Sequence, residues 1–159
     1  MTTLTQQQFT DLRNAVHAEP SLATALAQGI NWQIADWCNS PSTTVVWKSS
    51  VNAETIMRSD SFDWARVDNL TVGKARIWDW LFQTGSINPS KANVRVGIDS
   101  TWVGTAGDLA VRAAIYVECK RFATNAEKAL ATGTGTNAVP ATMSFEGLID
   151  YNTAGTLIA

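Results

Sequence analysis

Hydrophobic positions recur at helical spacing through most of the chain. Phe9, Leu12 and Val16 stand at i, i+3 and i+7 behind Thr5-Gln6-Gln7-Gln8. Thr5 and Gln8 have the spacing of a capping box, so the pattern predicts an amphipathic helix of about three turns. Pro20-Ser21 opens a short second helix carrying Leu22, Ala25 and Leu26, with Gly29 as its C-cap. Ile30, Ile34 and Trp37 share one face of a third, which Pro41 stops at Asn39 or Ser40. Thr43 to Trp47 is short and β-branched and fits an extended run. Asn52 caps a helix through Met57, with Glu54 against its N-terminal dipole, and residues 58–63 read as loop. Thr71 then caps VGKARIWDWLFQ, where Ala75, Trp78, Leu81 and Phe82 form a stripe that Gly85 ends.

Asn88-Pro89 is a helix-start signal, and the segment through Trp102 reads as helix, although Val94, Val96 and Ile98 also alternate like a strand. Thr105 and Asp108 form another N-cap pair, and the longest element is predicted from Ala106 to about Ala131, with Asp108 and Arg112 in the favourable i, i+4 order. Leu109, Ala113, Tyr116 and Ala123 lie on one side of it, while Val111, Ile115 and Phe122 widen the apolar surface. A helix apolar over so much of its circumference is central to its domain or shared with a neighbour. Ala131 to Asn137 is a Gly/Thr-rich connector. Beyond it Met143 and Phe145 alternate with Ser144 and Glu146, and Ile149 and Tyr151 follow, a strand-like pattern with no hairpin partner beside it. Such a strand must fold back on its own domain or add to an edge of another protein. The expected fold is therefore mainly α: a helical bundle over residues 1–131 with one long C-terminal helix, then a flexible linker and an extended, strand-like C-terminal arm over residues 132–159.

A length of 159 residues implies one domain, able to bury a core without disulfides or a structural metal. Charged residues make up only 16% of the chain, which fits a subunit that meets other subunits and equally a Thr/Ser/Asn-rich exterior. A net charge of −2 lacks the basic excess of a duplex reader, so any DNA contact would be local or indifferent to sequence. The first residues carry neither the basic stretch nor the apolar run of a signal peptide, and no segment has the length of a membrane span. Cys38 and Cys119 read as two reduced, buried thiols of an intracellular protein, which leaves the Asn69-Leu70-Thr71 sequon without meaning.

Catalytic chemistry finds little to work with. His17 is the only histidine, so neither a zinc site nor a Ser-His-Asp arrangement has enough ligands or bases, and no G-x-S-x-G elbow occurs. Gly133-Thr134-Gly135-Thr136 lacks the context and the Lys of a phosphate loop and reads as linker. Asp60, Asp63 and Asp68 cluster with Arg58 and Arg66 around Trp64, a pattern more typical of solvated or capping carboxylates than of paired glycosidase acids. Seven tryptophans stand out: Trp32, Trp37, Trp47, Trp64, Trp78, Trp80 and Trp102. Trp78 and Trp80 lie roughly 200° apart around one helix and cannot both face one core, so one of them meets a loop, a ligand or a neighbouring subunit.

The stretches SFDWARVDNLTVGKARIWDWLF, INPSKANVRVGIDSTWVGTAGDLAVRAAIYVECKRFA and ATGTGT leading to PATMSFEGLI resemble a group of small proteins from the structural gene block of tailed bacteriophages and prophages. More distantly, the chain resembles the helical head–tail connector (adaptor) proteins that sit under the portal; the likeness runs from about residue 31 to residue 149. The resemblance implies a ring of about a dozen copies, assembled in the cytoplasm of a bacterial host and located in the virion neck. The helix from Ala106 to Ala131 would pack the ring, with Trp78, Trp80, Tyr116 and Phe122 between subunits. The arm from Pro140 to Ile158 would dock to the portal protein through Met143, Phe145, Leu148, Ile149 and Tyr151. A stopper or tail-completion protein would follow below, and double-stranded DNA would pass the lumen unread. No catalytic, cofactor or metal residue is implied, and no membrane. This chain is longer than the simplest adaptors, and its N-terminal helices have no counterpart among them. Three other roles fit parts of the pattern: a tail-completion or tail-terminator protein, a cell-wall hydrolase using Asp63 or Glu54, and a small DNA-binding regulator.

Overall fold

A computed structural model describes residues 4–158 and is mostly helical. In chain order it contains α1 (Gln6–Ala18), a 3-10 turn (Pro20–Leu22), α2 (Ala23–Gln28), α3 (Asn31–Asn39), β1 (Pro41–Trp47), β2 (Val51–Asn52) and α4 (Ala53–Met57). A second 3-10 turn (Trp64–Asn69), α5 (Val72–Phe82), β3 (Ser86–Ile87), α6 (Ala92–Thr101) and α7 (Ala106–Glu118) follow. The chain ends with β4 (Lys120–Thr124), α8 (Asn125–Ala129), β5 (Ala131–Thr132), β6 (Thr142–Met143) and α9 (Tyr151–Ile158). The strands pair two by two, β1 with β4, β2 with β3 and β5 with β6.

Two compact units result: residues up to Val46 together with those from Phe122 onward, and Trp47–Arg121 between them. The boundary expected at residue 131 falls inside the first of these units.

The first unit is built from both ends of the sequence. α1 starts as its spacing predicts: the Gln8 amide donates to Thr5 Oγ1 at 3.2 Å and the Thr5 amide to Gln8 Oε1 at 2.9 Å. Gly29, at φ 67°, supplies the left-handed C-cap of α2. Leu12, Val16, Leu22, Ile34 and Cys38 from this N-terminal part share one core with Leu130, Phe145, Ile149 and Leu157.

Two expectations fail here. The long helix to Ala131 ends instead at Glu118. The next residues form β4, which pairs with β1, and Thr124 then opens a new helix through its own capping box with Glu127. Tertiary strand pairing overrides helix propensity in the interval. The extended arm is likewise not extended. Its linker returns as an antiparallel pair, Ala131 opposite Met143 and Thr132 opposite Thr142, and its last residues coil into α9. Asp150 starts that helix by accepting from the Thr153 amide at 2.7 Å, and Ala154 and Leu157 then fall on one buried face.

The second unit holds α4 to α7 and the β2–β3 pair, with Val51 opposite Ile87. Asn52, Thr71 and the Thr105–Asp108 box cap α4, α5 and α7 at the predicted positions. α6 begins three residues after the predicted Asn88-Pro89 start, because Asn88 Oδ1 turns back on the Ser90 amide and hydroxyl. The core gathers Ile56, Ile98, Val111 and Ile115 around three aromatic rings. Trp102 meets Trp78 edge-to-face at 5.3 Å and Phe62 at 5.9 Å. Its Nε1 is buried without a hydrogen-bond partner among the described residues.

That orphan donor sets a test. Trp102→Ala should cost about 3–5 kcal/mol by opening a cavity. Trp102→Phe should cost only about 1 kcal/mol, since removing an unsatisfied buried donor offsets the lost volume. Urea midpoints of the two variants would check the contrast.

Candidate functional site

The C-terminal segment lies in a groove of its own unit, held by side chains that grip its backbone. Gln8 Nε2 donates to the Ser144 carbonyl at 2.7 Å and Asn31 Nδ2 to the Tyr151 carbonyl at 3.2 Å. Asn39 makes a two-way clasp: its Nδ2 donates to the Ile149 carbonyl and its Oδ1 accepts from the Ile149 amide, both at 2.9 Å. His17 Nε2 sits 3.0 Å from the Leu157 carbonyl, at the end of α9 where orphan carbonyls seek donors. The lone histidine thus has a structural partner. Of the expected docking residues, Phe145 and Ile149 are buried in the core, and Met143 packs against Val46, Ala123 and Ala141. Only Leu148 (75% exposed) and Tyr151 (59%) face outward.

In the second unit Trp78 and Trp80 part as the helical geometry requires. Trp78 is buried, whereas Trp80 is 68% exposed. On α5 it lines up with exposed Val72 and Arg76 at intervals of one turn. Tyr116 is half-buried: its ring meets the edge of Trp47 at 5.4 Å, and its hydroxyl donates to Asp99 Oδ1 at 2.8 Å. Arg95 and Lys120 lie over the Trp47 ring at 5.0 and 5.5 Å. Phe122, on β4 in the first unit, is exposed.

α7 carries apolar residues on both faces. Val111, Ala114 and Ile115 point inward, while Ala106, Leu109, Ala110, Ala113 and Val117 are exposed. These five fall within an arc of roughly 100°, so the solvent-facing stripe of this helix carries no polar side chain. The 3.6-residue count along the sequence already contains that stripe, but the breadth of the apolar surface hides which side faces in.

The candidate acid–base residues are spread along the surface of the second unit. Asp63 caps the 3-10 turn through the Ala65 amide and approaches Arg66 at 3.5 Å; Glu54 pairs with Arg58 one turn away. Asp60, Trp64 and Asp68 are exposed. Around Gly133–Thr136 the loop lies along β1, with the Gly135 carbonyl accepting from the Val45 amide at 2.8 Å. No group of three His, Cys, Asp or Glu among the described residues is arranged to hold a metal, and no described helix is long and apolar enough to cross a membrane. A shallow concavity of about 280 Å³ in the first unit lies against Ala15, Glu19, Trp37, Asn125 and Lys128. Comparison with protein-family models, curated proteins and solved structures finds no match.

The clasp and the thiols each generate an expectation. Asn39→Ala removes both bonds to Ile149 and strands two backbone groups, so the urea midpoint should fall by the equivalent of about 1–3 kcal/mol. Burial pushes the Cys38 and Cys119 thiols up to about 12. Burial, with the bond to Asp99, also raises the Tyr116 phenol. A thiol in the unfolded chain titrates near ~8.5. The folded state therefore holds these protons more tightly, and the resulting stability is complete below the unfolded value and lost as pH rises toward the folded one. Urea midpoints should be level around neutral pH and decline steadily above about pH 9. At mildly alkaline pH, Ellman's reagent should reach both thiols only after denaturation.

Proposed function

We propose that the chain is a non-catalytic structural subunit of a tailed-bacteriophage neck. In this reading it is a head–tail connector adaptor that forms a ring under the portal and passes DNA without sequence readout. The observation that carries this reading is the solvent-facing stripe of α7, apolar along its whole length on a helix that is also apolar inside. Monomeric domains keep charge on such a face; subunits cover it with a neighbour. The motif resemblance supplies the phage context, and a net charge of −2 suits a lumen that does not hold DNA.

The portal contact belongs, in this reading, to the C-terminal segment, but through residues it already exposes. Leu148 and Tyr151 are the contact side chains, while Phe145, Ile149 and Met143 hold the segment to its own unit. Mainly helical content favours an adaptor over a sheet-rich tail-completion protein. A stopper or tail-completion protein remains the partner expected below the ring.

The test is reconstitution with purified portal protein, viewed by electron microscopy. A ring of this chain seated on the portal is expected. Leu109→Glu combined with Val117→Glu should prevent the ring while leaving the circular-dichroism spectrum intact. Leu148→Asp combined with Tyr151→Ala should leave the ring but lose the portal. No complex with portal, together with absence of the chain from virion necks, would sink the proposal.

A further inference from the structure

The stripe on α7 is uncharged and does not name its own partner, but the exposed face of α5 does. There Arg76 stands between Val72 and Trp80, each one helical turn away, and all three are exposed. In the first unit, the exposed face of α3 presents Trp32 with Asp36 one turn on. Neither Arg76 nor Asp36 has an ion-pair partner among the described residues.

The charge balance of the two units points the same way. The first unit has two basic residues, Arg13 and Lys128, against six acidic ones, a net −4 with His17 neutral. The second has ten basic and eight acidic residues, a net +2, which together give the chain's −2. Each unit is thus charged against the other, and each carries an exposed tryptophan one turn from an unpaired charge of the complementary sign.

We infer that a second copy of this chain covers the α5 face: Trp32 and Asp36 of one copy dock on Val72, Arg76 and Trp80 of the next. The inference rests on the assembly reading above and specifies how that assembly is joined. The contact joins two different surfaces, and the ring of the assembly reading requires it head-to-tail, each copy offering one surface to one neighbour and the other surface to the next. Such a heterologous contact propagates into a ring when the rotation between copies closes. A two-fold dimer could make the same pairing twice, Asp36 of each copy against Arg76 of the other, and would stop at two copies. Tryptophans supply the desolvated anchors and the ion pair fixes the register, the usual division of labour at an interface.

The test uses the full chain with Arg76→Glu and Asp36→Lys, alone and mixed, in sedimentation equilibrium. Each single variant sets two like charges together and should self-associate at least about tenfold more weakly than the wild type. Mixed in equal amounts they should recover, because every contact between unlike copies then joins opposite charges. The double variant should recover by itself. Trp80→Ala should weaken association on the order of tenfold without altering the circular-dichroism spectrum, since its side chain is outside the core.

Single variants that associate like the wild type, or a mixture no stronger than its components, would overturn the Asp36–Arg76 pairing while leaving assembly itself intact. A wild-type assembly that stops at the mass of a dimer would overturn the head-to-tail arrangement. A wild-type chain that stays monomeric at millimolar concentration and does not ring on the portal would overturn both.

Discussion

The core of the first unit closes only when residues 144–157 return to the helices made by residues 6–39. Leu12, Val16, Ile34 and Cys38 form one wall, and Phe145, Ile149, Ala154 and Leu157 form the other. Between them the chain makes an excursion of Trp47–Arg121 that has its own core. This constraint explains why the grip on the C-terminal segment is so heavily polar. Asn31, Asn39, Gln8 and His17 all bond to its backbone. A segment with only a short strand pair and a two-turn helix would otherwise enter the core with unpaired amides and carbonyls, each costly to bury.

The local signals that proved legible are those in which one side chain satisfies one backbone group. Thr5, Asn52, Thr71 and Thr105 cap the helices predicted for them, and Gly29 ends α2. The same chemistry was present and masked at two other places. Thr124 and Glu127 have capping-box spacing, but they sit inside an apolar run long enough to read as one continuous helix. Asp150 precedes Ala154, Leu157 and Ile158 at helical spacing, but the alternation from Met143 to Tyr151 suggests a strand. In both cases pairing with a distant segment decided the outcome, and that information is not local.

The candidate surface was legible in part for a related reason. Helical geometry alone separates Trp78 from Trp80, because residues two apart on a helix point roughly 200° away from each other. It cannot orient α7, where apolar residues occupy nearly every direction. Burial of Val111, Ala114 and Ile115 leaves Leu109, Ala113 and Val117 outward. A helix with two apolar faces is ambiguous as sequence for the same reason that it can serve two contacts as structure.

A docking arm and a core strand make opposite demands on the same residues. Releasing the C-terminal segment would expose Phe145, Ile149 and Leu157, at roughly 1.5–3 kcal/mol each. It would also break both bonds between Asn39 and Ile149. A partner capturing the freed segment would have to offset all of that before contributing any net affinity, and the first unit would lose one wall of its core. Binding through Leu148 and Tyr151 carries no such cost, because both are exposed while the segment is seated. The buried anchors then have a different task from the one an extended arm would give them. They hold the short exposed run at Leu148 and Tyr151 in a fixed conformation, which lowers the entropy lost when a partner binds it.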